Sequence, residues 1–305
     1  MTKPALPQAS SSVAHLARRR MADLTTAERK VARALLAAYP VAGLETVAEL
    51  ARRAQVSGPT VIRFAAKLGY DRYPDFQQAL KDELLAREST PVRQISTRHT
   101  GRDSVLARAQ HRFHDAVART LDGLAEQDIT ACAALLANTS RPVTAVAGRF
   151  TFGLAEYFIG HLQQVRPRAG LVYGGPFGHL SHALDMPRRG VLVAFDFRRY
   201  QQDTIEFVRT VRRRGASVVL VTDPWLSPIA DIADYTFPAA VEAVSPFDSL
   251  MPAFALADLL ITAVIESIGD PAEQRVRQLE KLTEPSDDFR STLQQGQGDT
   301  ARKVN

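Results

Sequence analysis

Beyond residue 140 the chain alternates five short apolar runs, at 142–147, 169–173, 191–195, 217–222 and 235–238, with amphipathic stretches of helical length. A short strand that leaves a sheet through a helix returns parallel to itself, by a right-handed crossover. A parallel sheet in turn needs helices on both faces, because its strands are apolar on both. The expectation is therefore an α/β domain, a five-stranded parallel sheet flanked by helices and doubly wound in the flavodoxin-type order. Two helices, at about 104–124 and 128–138, precede the first strand, and a long one at 248–267 follows the last. That last helix is apolar on more than one face but carries Asp258 and Glu266. It reads as buried in a core or against another subunit rather than as a membrane span.

The first third lacks this alternation and reads as all-α. Thr25-x-x-Glu28 and Thr46-x-x-Glu49 are capping boxes, in which the threonine oxygen and the glutamate satisfy backbone N–H groups at a helix start. A helix or arm at 13–20 precedes them. Further helices start at Ser57, an N-cap with Pro59 in the first turn where its missing N–H costs little, and at Pro74. Two helices that cross steeply through a three-residue turn must touch at particular positions. Leu50, Ala54, Val56, Val61 and Phe64 are apolar there, and Ala51 is small at the closest approach. This is helix-turn-helix spacing, whose geometry lays the second helix in the major groove of double-stranded DNA. Ser57, Thr60 and Arg63, with Pro59 beside them, are expected near the base edges, Arg63 as a bidentate reader of guanine. Arg52, Arg53 and Lys67 are expected along phosphates, where they set affinity rather than sequence choice. Gln55 stands where the turn usually has glycine, and must bear a left-handed backbone at a cost of about 1 kcal/mol.

Charge follows the same division. Residues 1–100 hold 16 Lys and Arg against 9 Asp and Glu, an excess of +7, whereas 101–305 hold 22 against 24. A basic module that meets a polyanion is joined to a near-neutral module with another task. The 305 residues divide as a helix-turn-helix domain at 13–87, a linker at 88–103 and an α/β domain at 104–283, between a disordered start at 1–12 and a disordered tail at 284–305. One cysteine, Cys132, excludes an internal disulfide framework and a Cys-rich zinc module. No metal and no cofactor are expected. The first residues, with Pro4, Pro7 and three successive serines, lack the apolar core of a signal peptide, so the expected location is the cytoplasm, with no membrane partner.

Two loops of the α/β half carry the candidate ligand residues. The first strand ends in Gly148-Arg149-Phe150-Thr151 and feeds a helix N-terminus, where backbone N–H groups and the helix dipole favour an anion. Gly148, Arg149 and Thr151 are its proposed contacts. The third strand ends in Asp196-Phe197-Arg198-Arg199-Tyr200-Gln201, and two adjacent arginines at such an end can clamp a carboxylate or phosphate. Arg198, Arg199 and Tyr200 are the candidates there. A third loop, Thr222 to Pro228, reads as structural, with Ser227 capping a helix that has proline at its first position.

The run Leu24-Thr25-x-x-Glu28-x-x-Val31, Thr46-Val47-x-Glu49-Leu50-Ala51 and Val56-Ser57-x-x-Thr60-Val61-x-Arg63-Phe64-x-x-Lys67-Leu68-Gly69-Tyr70 resembles the N-terminal domain of MurR/RpiR-type bacterial transcription regulators, over about residues 10–85. The resemblance implies a second domain of the SIS (sugar isomerase) kind that senses a phosphosugar or related metabolite, and residues 128–268 are similar to that pattern. SIS domains typically carry Gly-x-Gly-x-Ser after the first strand and Ser-x-Ser-Gly-x-Thr after the third. Here Thr151 replaces the serine of the first loop, and the second loop keeps none of its hydroxyls. Arginines in their place imply a strongly anionic effector, a phosphosugar or an organic acid. The implied protein is a ligand-responsive regulator, a homodimer or homotetramer whose paired recognition helices read a palindromic operator, with the helices at 104–124 and 248–267 as subunit contacts. The alternative is a SIS-type phosphosugar isomerase, for which Glu156, His161, His179 and His182 are the nearby candidates for a general base.

Overall fold

Two capping boxes frame the N-terminal domain of the computed structural model, which describes residues 12–88, 92, 95 and 104–283. Residues 1–11, nearly all of the expected linker and the expected tail lie outside the described residues. Ser12, grouped by sequence with the disordered start, is instead the N-cap of α1 (Val13–Arg19), its Oγ accepting from the His15 N–H at 3.1 Å. Helix α2 (Thr26–Ala37) begins at the Thr25–Glu28 box, and α4 (Val47–Ala54) at the Thr46–Glu49 box. A one-turn helix that the sequence reading lacked, α3 (Val41–Leu44), lies between them. Then come α5 (Gly58–Lys67) and α6 (Tyr73–Glu88). Leu35, Leu50, Val61, Phe64, Phe76 and Leu80 are fully buried in one core, with Phe64 and Phe76 edge to face at 6.5 Å. Burying side chains of this size is worth about 1.5–3 kcal/mol each, and it fixes α4 against α5 across the turn at Gln55.

Helices α7 (Val105–Asp122) and α8 (Glu126–Ala137) lead into the second domain. There β1 (Val143–Ala147), β2 (Ala169–Leu171), β3 (Val191–Asp196), β4 (Ser217–Thr222) and β5 (Tyr235–Pro238) form one sheet in the order β2-β1-β3-β4-β5, and every pair is parallel. This is the expected order. The crossovers are α9 (Phe152–Val165), α10 (Pro176–Asp185), α11 (Gln202–Arg213) and a 3-10 turn at Pro228–Asp231 where a helix was expected. Alternation along each strand sorts the core. Val143, Ala145, Val193, Phe195, Val219 and Val221 pack under α8, α9 and the long α12 (Met251–Ile268). Val146, Leu192, Ala194, Val218 and Leu220 face the opposite layer, with α10 and α11. The chain continues into α13 (Asp270–Thr283).

Helix α12 buries Ala253, Leu256, Ala257, Leu260, Ile261 and Val264 inside its own domain. Among the described residues it is the one helix long and apolar enough to cross a membrane; one face packs on the core and Met251 and Ile265 stay exposed. Between α9 and α8, Arg166 is fully buried, its guanidinium donating to the carbonyls of Leu136, Asn138 and Arg141.

Gln55 adopts φ 55° and ψ 51°, the left-handed conformation expected of it. Gln55→Gly should therefore stabilise the helical domain by about 0.5–1 kcal/mol, the relief of strain being partly offset by the extra freedom of glycine in the unfolded chain. Urea denaturation of the two proteins measures the difference.

Candidate functional site

The outer surface of the α4–α5 pair is set by which side chains the core leaves free. Arg52, Ser57, Pro59 and Arg63 are exposed around the start of α5. Ile62, which the sequence reading passed over, is exposed beside them, and an apolar side chain there can meet a thymine methyl group. Its signal was present, since it neighbours Arg63 and lies off the stripe of Val61, Phe64 and Leu68.

Four expectations need correction. Thr60 is not an outward residue: it is 4 % exposed, one turn before Phe64 on the buried face. Its hydroxyl pairs with Ser57 Oγ at 3.0 Å and accepts from Arg63 Nη2 at 3.2 Å, so it positions Arg63 instead. Ser57 occupies the N-cap position, but its side chain bonds Thr60 rather than a backbone N–H. Lys67 binds Glu28 Oε2 at 2.8 Å and the Asp23 carbonyl at 3.1 Å, which turns its ammonium toward its own domain. Arg53 is likewise engaged, forked onto Glu45.

In the second domain the parallel strands bring the loops after β1, β3 and β4 to one edge. Arg149 and Arg199 are exposed there, with Phe150 at 85 % and Tyr173 close by. Thr151 is another correction. It is 3 % exposed and its hydroxyl donates to the Phe195 carbonyl at 2.7 Å, fastening the β1 loop to the end of β3 instead of facing a ligand. The Gly148 N–H donates to the same carbonyl at 3.3 Å. Gln201, unremarked in the sequence, extends its carboxamide oxygen to accept from the Arg149 N–H at 2.5 Å. A Cβ at position 148 would stand 2.9 Å from that oxygen, so glycine is what admits it.

Arg198 is not free to clamp a ligand. Its side chain is 9 % exposed. Nε donates to Asp248 Oδ2 at 2.6 Å, Nη2 donates to the other carboxylate oxygen, and the guanidinium stacks on Trp225 at 4.6 Å from the ring centre. Nη1 donates to the carbonyl of Ala86, in the last turn of α6. Tyr200 is half-buried; its hydroxyl donates to Asp223 Oδ1 at 2.8 Å. Asp223 also accepts from the backbone N–H groups of Arg198 at 2.6 Å and Trp225 at 2.9 Å. Beneath it, Asp196 Oδ2 accepts from Ser227 Oγ at 2.5 Å. Burial pushes both Asp196 and Asp223 up to about 6 and raises the Tyr200 phenol well above its ordinary value. Ser227 caps its turn as expected, its Oγ accepting from the Ile229 N–H at 3.2 Å.

The four side chains considered as a general base are each engaged locally or turned outward. His161 lies 4.4 Å from the Tyr157 ring, His182 Nδ1 is 2.9 Å from its own helix's Gly178 carbonyl, buried His179 stacks on Phe207, and Glu156 is exposed on α9. Among the described residues, no three His, Cys, Asp or Glu side chains gather as a metal-ligand set.

Fold and loops together define a two-domain protein, a helix-turn-helix module joined to a flavodoxin-type α/β domain. Residues 12–87 match the family model for the rpiR-family helix-turn-helix domain, and residues 140–263 match that for the SIS domain. The chain belongs to the RpiR family of helix-turn-helix, SIS-domain transcriptional regulators. It is 24 % identical over 282 residues to the HTH-type transcriptional regulator HexR of Pseudomonas aeruginosa, covering 88 % of this chain and 94 % of that one. An HTH-type transcriptional regulator of Haemophilus influenzae is 24 % identical over 220 residues, 70 % of this chain and 74 % of its own. Among solved structures, the sugar isomerase domain of an RpiR transcription factor from Sphaerobacter thermophilus has a TM-score of 0.55 at 18 % identity, covering 59 % of this chain and 99 % of that one. The Vibrio vulnificus NanR protein complexed with ManNAc-6P has a TM-score of 0.52 at 18 % identity, covering 88 % and 97 %.

The raised carboxyls at the edge of the sheet have a consequence for stability. Between about pH 4 and 6 the folded chain keeps protons on Asp196 and Asp223 that the unfolded chain releases, so their contribution to stability falls as pH rises through that window. Asp223→Asn should lower overall stability by loss of hydrogen bonds, yet flatten the fall between pH 4 and 6. Urea midpoints of both proteins across that range provide the comparison.

Proposed function

We propose that this transcriptional regulator binds operator DNA sequence-specifically through α5, and that its SIS domain senses a small anionic metabolite, a phosphosugar or an organic acid, without catalysing a reaction on it. The observation that carries the DNA reading is the cluster of Arg52, Ser57, Pro59, Ile62 and Arg63 exposed on one surface at the start of α5. Arg63, held by Thr60, reads a base edge. Arg52 meets phosphate, with Arg53 sharing that role once Glu45 yields it. Lys67 contributes through the general positive field.

The effector lies against the β1 loop. There the Arg149 N–H donates to the Gln201 amide oxygen that Gly148 admits, and the exposed guanidinium groups of Arg149 and Arg199 favour negative charge. The NanR relative in fold carries ManNAc-6P, which supports a phosphosugar. No metal or cofactor enters this reading, and the protein acts in the cytoplasm. Two recognition helices are needed to read a palindrome, so the active form is a homodimer or homotetramer. Helix α7 supports this, with Val105 at 66 % and Leu106 at 67 % exposed at its start. Helix α12 buries one apolar face within its own domain and keeps Met251 and Ile265 exposed for such a contact.

With an operator identified by footprinting, Arg63→Ala should lose about tenfold or more in specific affinity and relax the choice of one base pair. Arg52→Ala should weaken binding to all sequences alike and lower the salt slope by about one. Fluorescence anisotropy at several salt concentrations separates the two, and equal behaviour of both variants would refute the roles given. Light scattering should return a dimer or larger. In a thermal-shift panel, phosphosugars or small organic acids should raise Tm, and no response to either class would remove the sensing role.

A further inference from the structure

The five residues between β3 and α11, 197–201, hold two distant parts of the molecule at once. At one end Gln201 reaches the β1 loop, where its neutral amide oxygen accepts from the Arg149 N–H at 2.5 Å, the place an anionic oxygen would take. At the other end Arg198 and Tyr200 hold the last turn of α6, which belongs to the DNA-binding domain. Arg198 donates to the Ala86 carbonyl, and its fork onto Asp248 and its stacking on Trp225 leave it little freedom. The Arg87 guanidinium lies 5.4 Å from the centre of the Tyr200 ring. Asp223 locks the segment between these ends, accepting from the Arg198 N–H and the Tyr200 hydroxyl. Arg18 with Asp231, at 2.5 Å, and Arg19 with the Gly123 carbonyl, at 2.8 Å, join the domains at a second place through α1.

We infer that segment 197–201 is the element that transmits effector binding to the DNA-binding domain. Gln201 is an internal plug of the β1 loop, and Arg198 is a tether to α6 rather than a ligand contact. The inference rests on the reading of the β1 loop as the effector's anion site. A hydrogen bond from a backbone N–H to a charged oxygen is roughly twice as strong as one to a neutral amide, so an anion displaces the carboxamide. Once displaced, Gln201 no longer pins the segment, and the two positions of the segment hold α6 differently. The effector shifts DNA binding by as much as it favours one position over the other.

The test uses the full chain, with inorganic phosphate as the probe. Equilibrium dialysis measures phosphate affinity, and hydrogen exchange reports on the amides of residues 80–87. Gln201→Ala should bind phosphate about tenfold more tightly than wild type, because no plug competes. Phosphate should speed exchange at residues 80–87 several-fold in the wild type. In Arg198→Ala, exchange there should already be fast without phosphate and should not respond to it. Arg198→Lys, which keeps the charge but lacks the planar fork that holds Asp248 and Ala86 at once, should move the same way by less and guards against a folding defect in the alanine variant. Equal phosphate affinity of Gln201→Ala and wild type, or an unchanged response of residues 80–87 in both Arg198 variants, overturns the inference while leaving the anion site standing. Failure of phosphate to bind either wild type or Gln201→Ala removes the anion site and the plug with it, and the exchange rates of the phosphate-free Arg198 variants then decide the tether alone.

Discussion

Because all five strands run the same way, every loop at their carboxyl ends lies on one edge of the sheet, and those loops must be held by one another. The bonds that do this form a closed set. Thr151 fastens the β1 loop to the end of β3, Ser227 fastens the β4 loop to Asp196, and Asp223 fastens β4 to Arg198 and Tyr200. Each is a buried or half-buried hydrogen bond whose loss would leave a desolvated polar group, at about 1–3 kcal/mol. The edge therefore behaves as a unit. Gln201 and Arg198 lie on the same short segment of it, so one stretch of chain touches both the β1 loop and α6.

The elements of this fold were legible because their signals are local. A capping box spans four residues, a short parallel strand three to six, and the helix-turn-helix core places Leu50, Ala54, Val61 and Phe64 within fifteen positions. Their positions follow from period and from the chemistry of helix ends. Side-chain destinations were harder to read. Arg198 looked like a surface clamp because its partners, Asp248 and Ala86, lie 50 and 112 positions away. Thr60 and Thr151 looked like contact residues because a hydroxyl next to an arginine or a glycine suits a ligand, yet each hydroxyl is consumed inside the protein. Thr151 and Arg198 have partners far away in the chain, whereas Thr60 is held by Ser57 and Arg63 within one turn of its own helix start.

The missed residues share a cause of another kind. Gln201, Asp223 and Asp248 belong to no motif that the chemistry of anion binding would single out, and two of them are acids at a site read as positive. An acid among arginines is what a fixed arginine requires. Without Asp248, burial of the Arg198 guanidinium would cost several kcal/mol, and with it the carboxylate holds Arg198 more strongly charged than usual despite that burial. Arg198 is thus fixed by its acid, whereas Arg149 and Arg199 stand exposed and make no ion pair among the described residues.

That distinction changes what the charge sums mean. The excess of +7 in residues 1–100 includes Arg18, Arg53, Lys67 and Arg72, each of which is paired with an acid in the structure. These pairs are partly exposed, so they still add to the field that draws a polyanion toward the domain, while they have little reach for a particular phosphate or base. Arg52 and Arg63, near the start of α5, are exposed and make no such ion pair among the described residues. In the second domain the balance is slightly negative, yet Arg149 and Arg199 stand exposed beside a backbone N–H that already holds an oxygen. Net charge thus describes each domain only in sum, while the fold decides which cations are held by an acid and which stand exposed.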